Sequence, residues 1–129
     1  MGNRLVAALL RSPLHRLFSR SLMLLTVRGR RSGEPHTFPV QYARENDAVY
    51  VYPANHERKV WWRNLLEPAP VRLRIAGAEL RGIGRALRAS DDPAAVAAGT
   101  ALYLRRFPRL AQTVDGELIV RIELERDGG

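Results

Sequence analysis

The chain has 129 residues, of which 46% are hydrophobic, and it contains no cysteine. This length is typical of a single domain, and the apolar content is sufficient for a core without cross-links. The lack of cysteine excludes disulfides, thiolate catalysis and cysteine-ligated metals, and it favours a reducing, cytoplasmic location. The net charge of +8 comes from twenty arginines and one lysine, Lys59. Such a skew is typical of codon bias, and also of anion binding by the planar guanidinium group.

The N-terminal segment, residues 1–20, is predicted to be an amphipathic helical unit of its own. Its apolar residues recur at helical spacing over residues 3–20, with Arg4 and Arg11 on the opposite face. The arginines exclude a membrane-spanning helix, which needs roughly 20 mostly apolar residues in a row. Two interpretations remain open: a helix that packs on the domain, or a basic helix that lies on an anionic membrane surface.

From residue 21 onward the pattern predicts mainly strands. Alternating or short apolar runs bounded by turn residues predict strands over residues 21–27, 36–43, 48–52, 71–75, 80–87 and 118–124. Residues 60–66 are predicted to form a short helix. A longer helix from residue 90 to about 106 begins at Ser90-Asp91-Asp92-Pro93, a sequence rich in capping signals.

The order of these elements predicts the fold class. The first three strands follow one another through short turns, so they must be antiparallel. Six strands with mostly hairpin links, and helices only at the periphery, predict a mainly β domain over residues 21–129. We expect a small antiparallel β-barrel and not a doubly wound sheet.

The segment Gly29-Arg30-Arg31-Ser32-Gly33 lies between the first two predicted strands. Its glycines permit a tight turn and could expose backbone N–H groups, while the arginines and the serine hydroxyl add charge and a donor. This combination is what binding of a phosphate requires. The alternative is an ordinary hairpin turn with solvated arginines.

The two tryptophans of the chain, Trp61 and Trp62, are adjacent on the short predicted helix. Neighbouring residues on a helix point about 100° apart, so one ring can enter the core while the other lines a cleft. A ring in a cleft, close to His56 and Lys59, can border a planar ligand. Asn64 on the same helix is expected to act as a cap or a bridging amide.

Side-chain catalysis has little support in this sequence. The three histidines, His15, His36 and His56, lack the spacing of metal ligands, so no metal site is predicted. No serine lies in a nucleophile motif. The arginines are spread along the sequence and are not interleaved with aromatic residues, which argues against nucleic-acid binding. This pattern is typical of a protein that holds a cofactor and lets the cofactor react.

Two motifs carry a resemblance to a known family. The stretch Gly29-Arg30-Arg31-Ser32-Gly33-Glu34-Pro35 resembles the Gly-Arg-(Lys/Arg)-(Ser/Thr)-Gly-x-Pro segment of deazaflavin-dependent nitroreductases. Trp61-Trp62-Arg63-Asn64-Leu65 is similar to the Trp-x-x-Asn-Leu helix of that family. The resemblance covers roughly residues 20–126. It implies a split β-barrel related to FMN-binding barrels, which binds coenzyme F420 and passes hydride to quinones, nitro compounds or other activated acceptors.

The resemblance also implies roles for particular residues. The cofactor would be held by Arg30, Arg31, Ser32, Gly33, His36, Lys59, Trp61 and Asn64. Among these, His36 replaces an arginine common in the family, and Lys59 lies in a loop shorter than the family's own. A proton for the acceptor would come from one of four candidates, Tyr42, Tyr50, Tyr52 or His56.

Alternatives to this reading stay open. The same barrel could bind FMN or haem, or carry F420 or a lipid without turnover. This fold often binds its cofactor at a dimer interface, so a homodimer is a further expectation. Some family members associate with membranes through a basic N-terminus, which would place the chain in the cytoplasm, peripheral to the membrane, through residues 3–20.

Overall fold

The structure is a computed structural model that describes residues 21–126. Within these residues the β-strands are β1 (Leu22–Arg28), β2 (Pro35–Gln41), β3 (Ala43–Glu45), β4 (Ala48–Val51), β5 (Ala69–Ile75), β6 (Ala78–Arg88) and β7 (Leu118–Leu124). The helices are α1 (Pro93–Arg106) and two short 3-10 helices, Trp61–Leu65 and Pro108–Leu110. None of the described helices is long and apolar enough to cross a bilayer. The predicted helical segment, residues 1–20, lies outside the described residues.

The strands form one antiparallel sheet in the order β2-β1-β5-β6-β7-β4-β3. The two edge strands, β2 and β3, are consecutive in the chain and are separated by Tyr42 alone. The sheet must therefore curl so that the end of β2 reaches the start of β3. The result is a half-barrel, in which β2 and β3 do not pair with each other. The prediction of a mainly β, antiparallel split barrel with peripheral helices is confirmed.

The sequence predicted six strands, and the structure has seven among the described residues. The predicted strand over residues 36–43 is divided at Tyr42, whose side chain is buried and whose N–H donates to the Ser21 carbonyl at 3.0 Å. Before this corner Gln41 pairs with Leu22, and after it Ala43 pairs with Tyr50. The prediction was wrong here because alternation continues through a corner at which the pairing partner changes.

The main core lies inside the curl. The inward side chains of β1, β5 and β7, among them Leu25, Leu73 and Ile122, pack with Trp62 and Leu65 of the first 3-10 helix. Gly84 on β6 makes room for this helix, because an added Cβ would lie 3.1 Å from a methyl carbon of Leu65. A smaller cluster, which includes Val96, Tyr103 and Ile119, lies beneath α1. The first 3-10 helix thus packs directly against the inner face of the sheet.

Helix α1 begins at Pro93, inside the predicted start signal Ser90-Asp91-Asp92-Pro93. The Asp92 carboxylate accepts a hydrogen bond from the Ala95 N–H at 3.1 Å, so Asp92 is the N-cap and Pro93 is in the first turn. Asp91 instead pairs with Arg88 at 3.3 Å. Of the two acidic residues in the capping signal, Asp92 therefore caps the helix, whereas Asp91 forms an ion pair with the last residue of β6.

Strand β2 forms an edge of the sheet and contains two prolines. Pro35 pairs with Arg28 and Pro39 with Leu24 of β1. Proline has no N–H to donate, so it is tolerated in a sheet mainly on edge strands with the missing donor on the solvent side. The prolines fit the observed edge position.

Candidate functional site

The β1–β2 hairpin turn, residues 29–34, is held by its own backbone. The Gly29 N–H donates to the Glu34 carbonyl at 2.8 Å, and the Gly33 N–H donates to the Gly29 carbonyl at 2.9 Å. Gly33 has a φ of 71°, a conformation that favours glycine. The Ser32 hydroxyl accepts from the Glu34 N–H at 3.1 Å. The N–H groups of both glycines are thus used inside the turn, and an anion would have to meet other donors of the segment.

Asn64 connects this turn to the first 3-10 helix. Its Oδ1 accepts from the Arg30 backbone N–H at 2.9 Å and from Arg30 Nη1 at 3.5 Å. Its Nδ2 donates to the Trp61 carbonyl at 3.0 Å. One amide thus fixes the basic turn relative to the tryptophan helix, across 34 residues of sequence. This is the bridging role expected for Asn64.

The predicted site residues converge on a cleft of about 330 Å³, here called the basic cleft. Six of the eight predicted cofactor residues line it: Arg30, Arg31, Ser32, His36, Trp61 and Asn64. The remaining wall is formed by Val27, Gly29, Phe38 and Val60. Residues from the turn, from β2 and from the 3-10 helix therefore meet at one place. Gly33 belongs to the same turn but does not line the cleft.

A larger depression of about 600 Å³, here called the wide cleft, adjoins the basic cleft. The two share Phe38, Val60 and Trp61, and the wide cleft also contains Lys59 and Tyr52. Lys59 lines the wide cleft and not the basic cleft. We treat the two adjoining clefts as one groove, with a cationic end at the basic turn and an aromatic middle at Trp61.

The two tryptophans divide as the helical spacing predicted. Trp62 is buried in the main core and donates its indole N–H to the His56 carbonyl at 3.0 Å. Trp61 is half-buried and lines both clefts, with its ring centroid 5.0 Å from that of Phe38 at an interplanar angle of 55°. Phe38 was missed from the sequence. The signal for it was its alternation with His36 on β2, which places both side chains on one face.

Of the four proton-donor candidates, Tyr52 alone lines a cleft that contains Trp61. Its hydroxyl donates to the Thr113 carbonyl at 3.4 Å, and burial raises its pKa above the ordinary value. Tyr42 is buried in the main core, and burial raises its pKa as well. Tyr50 accepts a hydrogen bond from Arg121 Nε at 3.2 Å, on the side of the sheet that faces α1.

His56, the fourth candidate, lies on the edge of a separate pocket of about 520 Å³ with Trp62 and Arg88. Its Nε2 is 2.6 Å from Asp115 Oδ2. Burial alone would raise the pKa of Asp115, but hydrogen bonds from the Glu117 N–H and from His56 outweigh it and lower that pKa. Sequence spacing could not reveal this pair, because its members are 59 residues apart.

Glu117 joins that pair to form a group of three possible metal ligands whose ligand atoms lie within 4.8 Å of one another. Exposed carboxylates commonly cluster without an ion, and the absence of a bound metal stays a prediction. Histidine spacing alone could not indicate this group, because the two acidic residues come from the loop before β7 and lie far from His56 in the sequence.

The fold is similar to those of several solved proteins. Among solved structures the chain is similar to an F420-H2-dependent reductase (FDR-A), with a TM-score of 0.63, 18% identity, and coverage of 81% of this chain and 95% of the other. It is also similar to a domain-swapped dimer, with a TM-score of 0.64, 17% identity and 81% coverage of each chain. A third similar structure is a FAD- and haem-binding protein from Mycobacterium smegmatis, with a TM-score of 0.54, 19% identity, and coverage of 91% and 68%.

These similarities define the class of protein as a split-barrel protein of the kind whose solved members include flavin and haem binders. The sequence then narrows the class. The family described as F420H(2)-dependent quinone reductase matches residues 10–125, so the chain belongs to that family. Comparison with curated proteins gives no significant match.

Proposed function

We propose that the protein is a reductase that binds reduced coenzyme F420 along the groove formed by the two clefts and passes hydride to a quinone, a nitro compound or another activated acceptor. The observation that carries this proposal is the meeting of the basic and wide clefts at Trp61. A deazaflavin cofactor combines a planar ring with an anionic tail. The groove offers a cationic end and an aromatic middle in the matching order, and family membership supports the same cofactor.

The anionic tail would be held at the basic end by Arg30, Arg31 and His36. All three side chains are exposed, and Arg30 is positioned from its backbone by Asn64. A guanidinium pair can hold two oxygens of a phosphate with charge-assisted hydrogen bonds. His36 adds an imidazole N–H that can donate a hydrogen bond to a phosphate oxygen.

The planar ring would lie against Trp61 in the middle of the groove. When bound, the reduced deazaflavin supplies the hydride, so the chain itself needs no nucleophile. Trp61 and Phe38 provide a tilted aromatic wall that excludes water from one side of the ring, and Asn64 fixes the orientation of the helix that carries Trp61. The protein would thus contribute orientation and desolvation.

Reduction of a quinone or nitro group needs a proton as well as a hydride. Tyr52 is the candidate with access to the wide cleft, and its raised pKa keeps the phenol protonated near neutral pH. Its hydrogen bond to the Thr113 carbonyl is long, at 3.4 Å, so an acceptor oxygen can replace it. Tyr52→Phe should therefore lower turnover and change its pH dependence while leaving F420 affinity unchanged.

The test of the cofactor is a fluorescence titration of the purified protein with F420. We expect saturable binding, lost in the double variant Arg30→Ala plus Arg31→Ala. The matched control is Arg72→Ala plus Arg81→Ala, which removes the same charge from a different face of the sheet and should bind F420 normally. Binding that survives the first double change, or no binding by the wild type at tens of micromolar, would overturn the proposal.

The second candidate is the same barrel with FMN or haem as its ligand. The observation in its favour is the imidazole of His36 in the basic cleft, which is a common haem ligand type. The visible spectrum of the protein as isolated decides this cheaply. A yellow or red protein with bound FMN or haem would favour this candidate, and a colourless protein that then binds F420 would remove it.

Two assembly states complete the proposal. Residues 1–20 hold four arginines and no carboxylate, which supports contact with an anionic membrane surface. Sedimentation with anionic vesicles should decrease when this segment is removed. Similarity to a domain-swapped dimer supports a homodimer, which light scattering would detect as a doubled mass.

A further inference from the structure

A second basic surface lies outside the barrel, on the face of β1, β5 and β6 that points away from the core. It is a groove of about 750 Å³, here called the outer groove. Its charged lining residues are Arg28, Arg72, Arg74, Arg81, Glu79 and Glu125. These arginines are dispersed in the sequence, and strand alternation gathers them on one face. The lining thus has four cationic and two anionic side chains. None of these six residues lines the cofactor groove.

The register of the sheet makes this arrangement unfavourable without a ligand. Arg72 on β5 lies directly opposite Arg81 on β6. Directly opposed side chains on antiparallel strands have Cβ atoms about 4.5–5.5 Å apart, and like charges at that separation destabilise the sheet. Both residues are exposed, so water reduces the repulsion without removing it. We therefore expect the opposed arginines to lower the stability of the ligand-free sheet.

The arginines also lack internal partners. Arg72, Arg74 and Arg81 make no side-chain hydrogen bond or ion pair with any residue in the range 21–126. The Nε of Arg74 is in addition buried within its surroundings and has no hydrogen-bond partner. A buried guanidinium nitrogen without a partner is costly, and an anion in the groove would supply the acceptor that the described part of the chain does not.

The composition outside the described residues adds little negative charge. Residues 1–20 contain no aspartate or glutamate, and residues 127–129 contain one acidic side chain, Asp127. A second copy of the chain docked face to face would bring arginines against arginines. An anionic ligand would supply the negative charge that the described lining lacks.

Hydroxyl groups line the groove beside the arginines. Thr26 on β1 and Thr37 on β2 are directly opposed, and their hydroxyl oxygens are 2.7 Å apart. One hydroxyl donates to the other, which leaves one proton free to donate to a ligand. Forked guanidinium groups with a hydroxyl donor suit the oxygens of a phosphoryl group, whose double negative charge matches the excess of two positive charges.

From these observations we infer that the outer groove is a second anion site, which binds a phosphoryl dianion through Arg72, Arg74 and Arg81. The same chemistry could be presented by a soluble phosphorylated molecule or by a lipid headgroup. The proposal is independent of the cofactor assigned to the inner groove, because the two sites lie on opposite faces of the sheet.

The test is calorimetric titration of the full chain with inorganic pyrophosphate, in parallel with sedimentation on vesicles that contain phosphatidic acid, whose headgroup is a phosphomonoester. We expect two binding events for pyrophosphate in the wild type, because Arg30 and Arg31 are themselves proposed to hold a phosphate. Arg30→Ala plus Arg31→Ala should remove the inner event and keep the outer one. Arg72→Ala plus Arg81→Ala should weaken the outer event by roughly tenfold or more, as expected for loss of charge-assisted hydrogen bonds. Outer-site binding of pyrophosphate would identify a soluble ligand, and a loss in Arg72→Ala plus Arg81→Ala that is confined to vesicles would identify a headgroup.

A single substitution separates binding from stability. Arg72→Glu replaces the opposed like charges with an ion pair to Arg81, so the ligand-free protein should melt about 1–4 °C higher while losing the anion site. A variant that is stabilised and does not bind would support the inference. Unchanged affinity in this variant or in the double alanine variant, or no binding of either probe by the wild type, would overturn it.

Discussion

Asn64 offers the sharpest test of how the site is assembled, because one amide joins the basic turn to the tryptophan helix. Asn64→Ala removes the hydrogen bonds of 2.9 Å to the Arg30 N–H and 3.0 Å to the Trp61 carbonyl. Each such bond contributes about 0.5–1.5 kcal/mol net, and the half-buried position places the pair toward the lower part of that range. We therefore expect a loss of about 1–2 kcal/mol in the free energy of unfolding.

The assay combines thermal unfolding with F420 titration. For a domain of this size, that loss corresponds to a fall of about 3–10 °C in the unfolding midpoint. Affinity for F420 should fall as well, because the arginines would no longer be held in a fixed position relative to Trp61. Wild-type melting and wild-type affinity in Asn64→Ala would refute the view that this amide organises the site.

Asn64→Asp is the matched control, because it keeps the acceptor for the Arg30 N–H and loses the donor to the Trp61 carbonyl. The added carboxylate can pair with Arg30, so this variant should melt closer to the wild type than the alanine variant does. It should nevertheless bind F420 more weakly, because it places a negative charge beside the proposed anion site. Stability and affinity should thus separate in this variant and fall together in the alanine variant.

Three further predictions concern the scaffold. Leu65→Ala empties a fully buried position between the helix and Gly84, so denaturant unfolding should show a loss of about 2–5 kcal/mol; a smaller loss would mean that the helix collapses onto the sheet. The pKa of Asp115 is lowered in the folded protein, so the contribution of this carboxylate to stability is complete above its ordinary pKa of 3.8 and is lost as the pH falls through the folded value. Asp115→Asn should therefore make the acid limb of a stability profile less steep, and an unchanged profile would contradict the pairing with His56. Burial raises the pKa of Tyr103 from 10.0 to about 12, so stability should decrease above about pH 10, by at most about 1.4 kcal/mol per pH unit. Tyr103→Phe should remove that decrease, whereas an alkaline decrease that persists would assign it to other groups.

The strands and the location of the site were predictable because they depend on local pattern. Alternation and turn residues located six of the strands, and the glycine-flanked arginines and adjacent tryptophans located the walls of the basic cleft. The division between buried Trp62 and cleft-lining Trp61 followed from helical geometry alone. Such features need only the spacing of residues along one element.

The features that were not predicted depend on contacts between distant parts of the chain. The corner at Tyr42 exists because β2 and β3 pair with different strands, which no local pattern encodes. The pair of His56 and Asp115 joins two loops, and the opposed pair of Arg72 and Arg81 follows from the register of β5 against β6. The hydrogen bonds of the Gly29 and Gly33 N–H groups also could not be predicted, because they depend on how tightly the turn closes.

The prolines of β2 have a consequence for how the molecule behaves among its own copies. A strand that added to the free edge of β2 would find no donor at Pro35 or at Pro39, and the opposite edge, β3, has only three residues. Each end of the sheet is therefore a poor template for a foreign strand. Pairing of edge strands between copies, whether in a dimer or in a growing fibril, is therefore disfavoured at both edges of the described sheet.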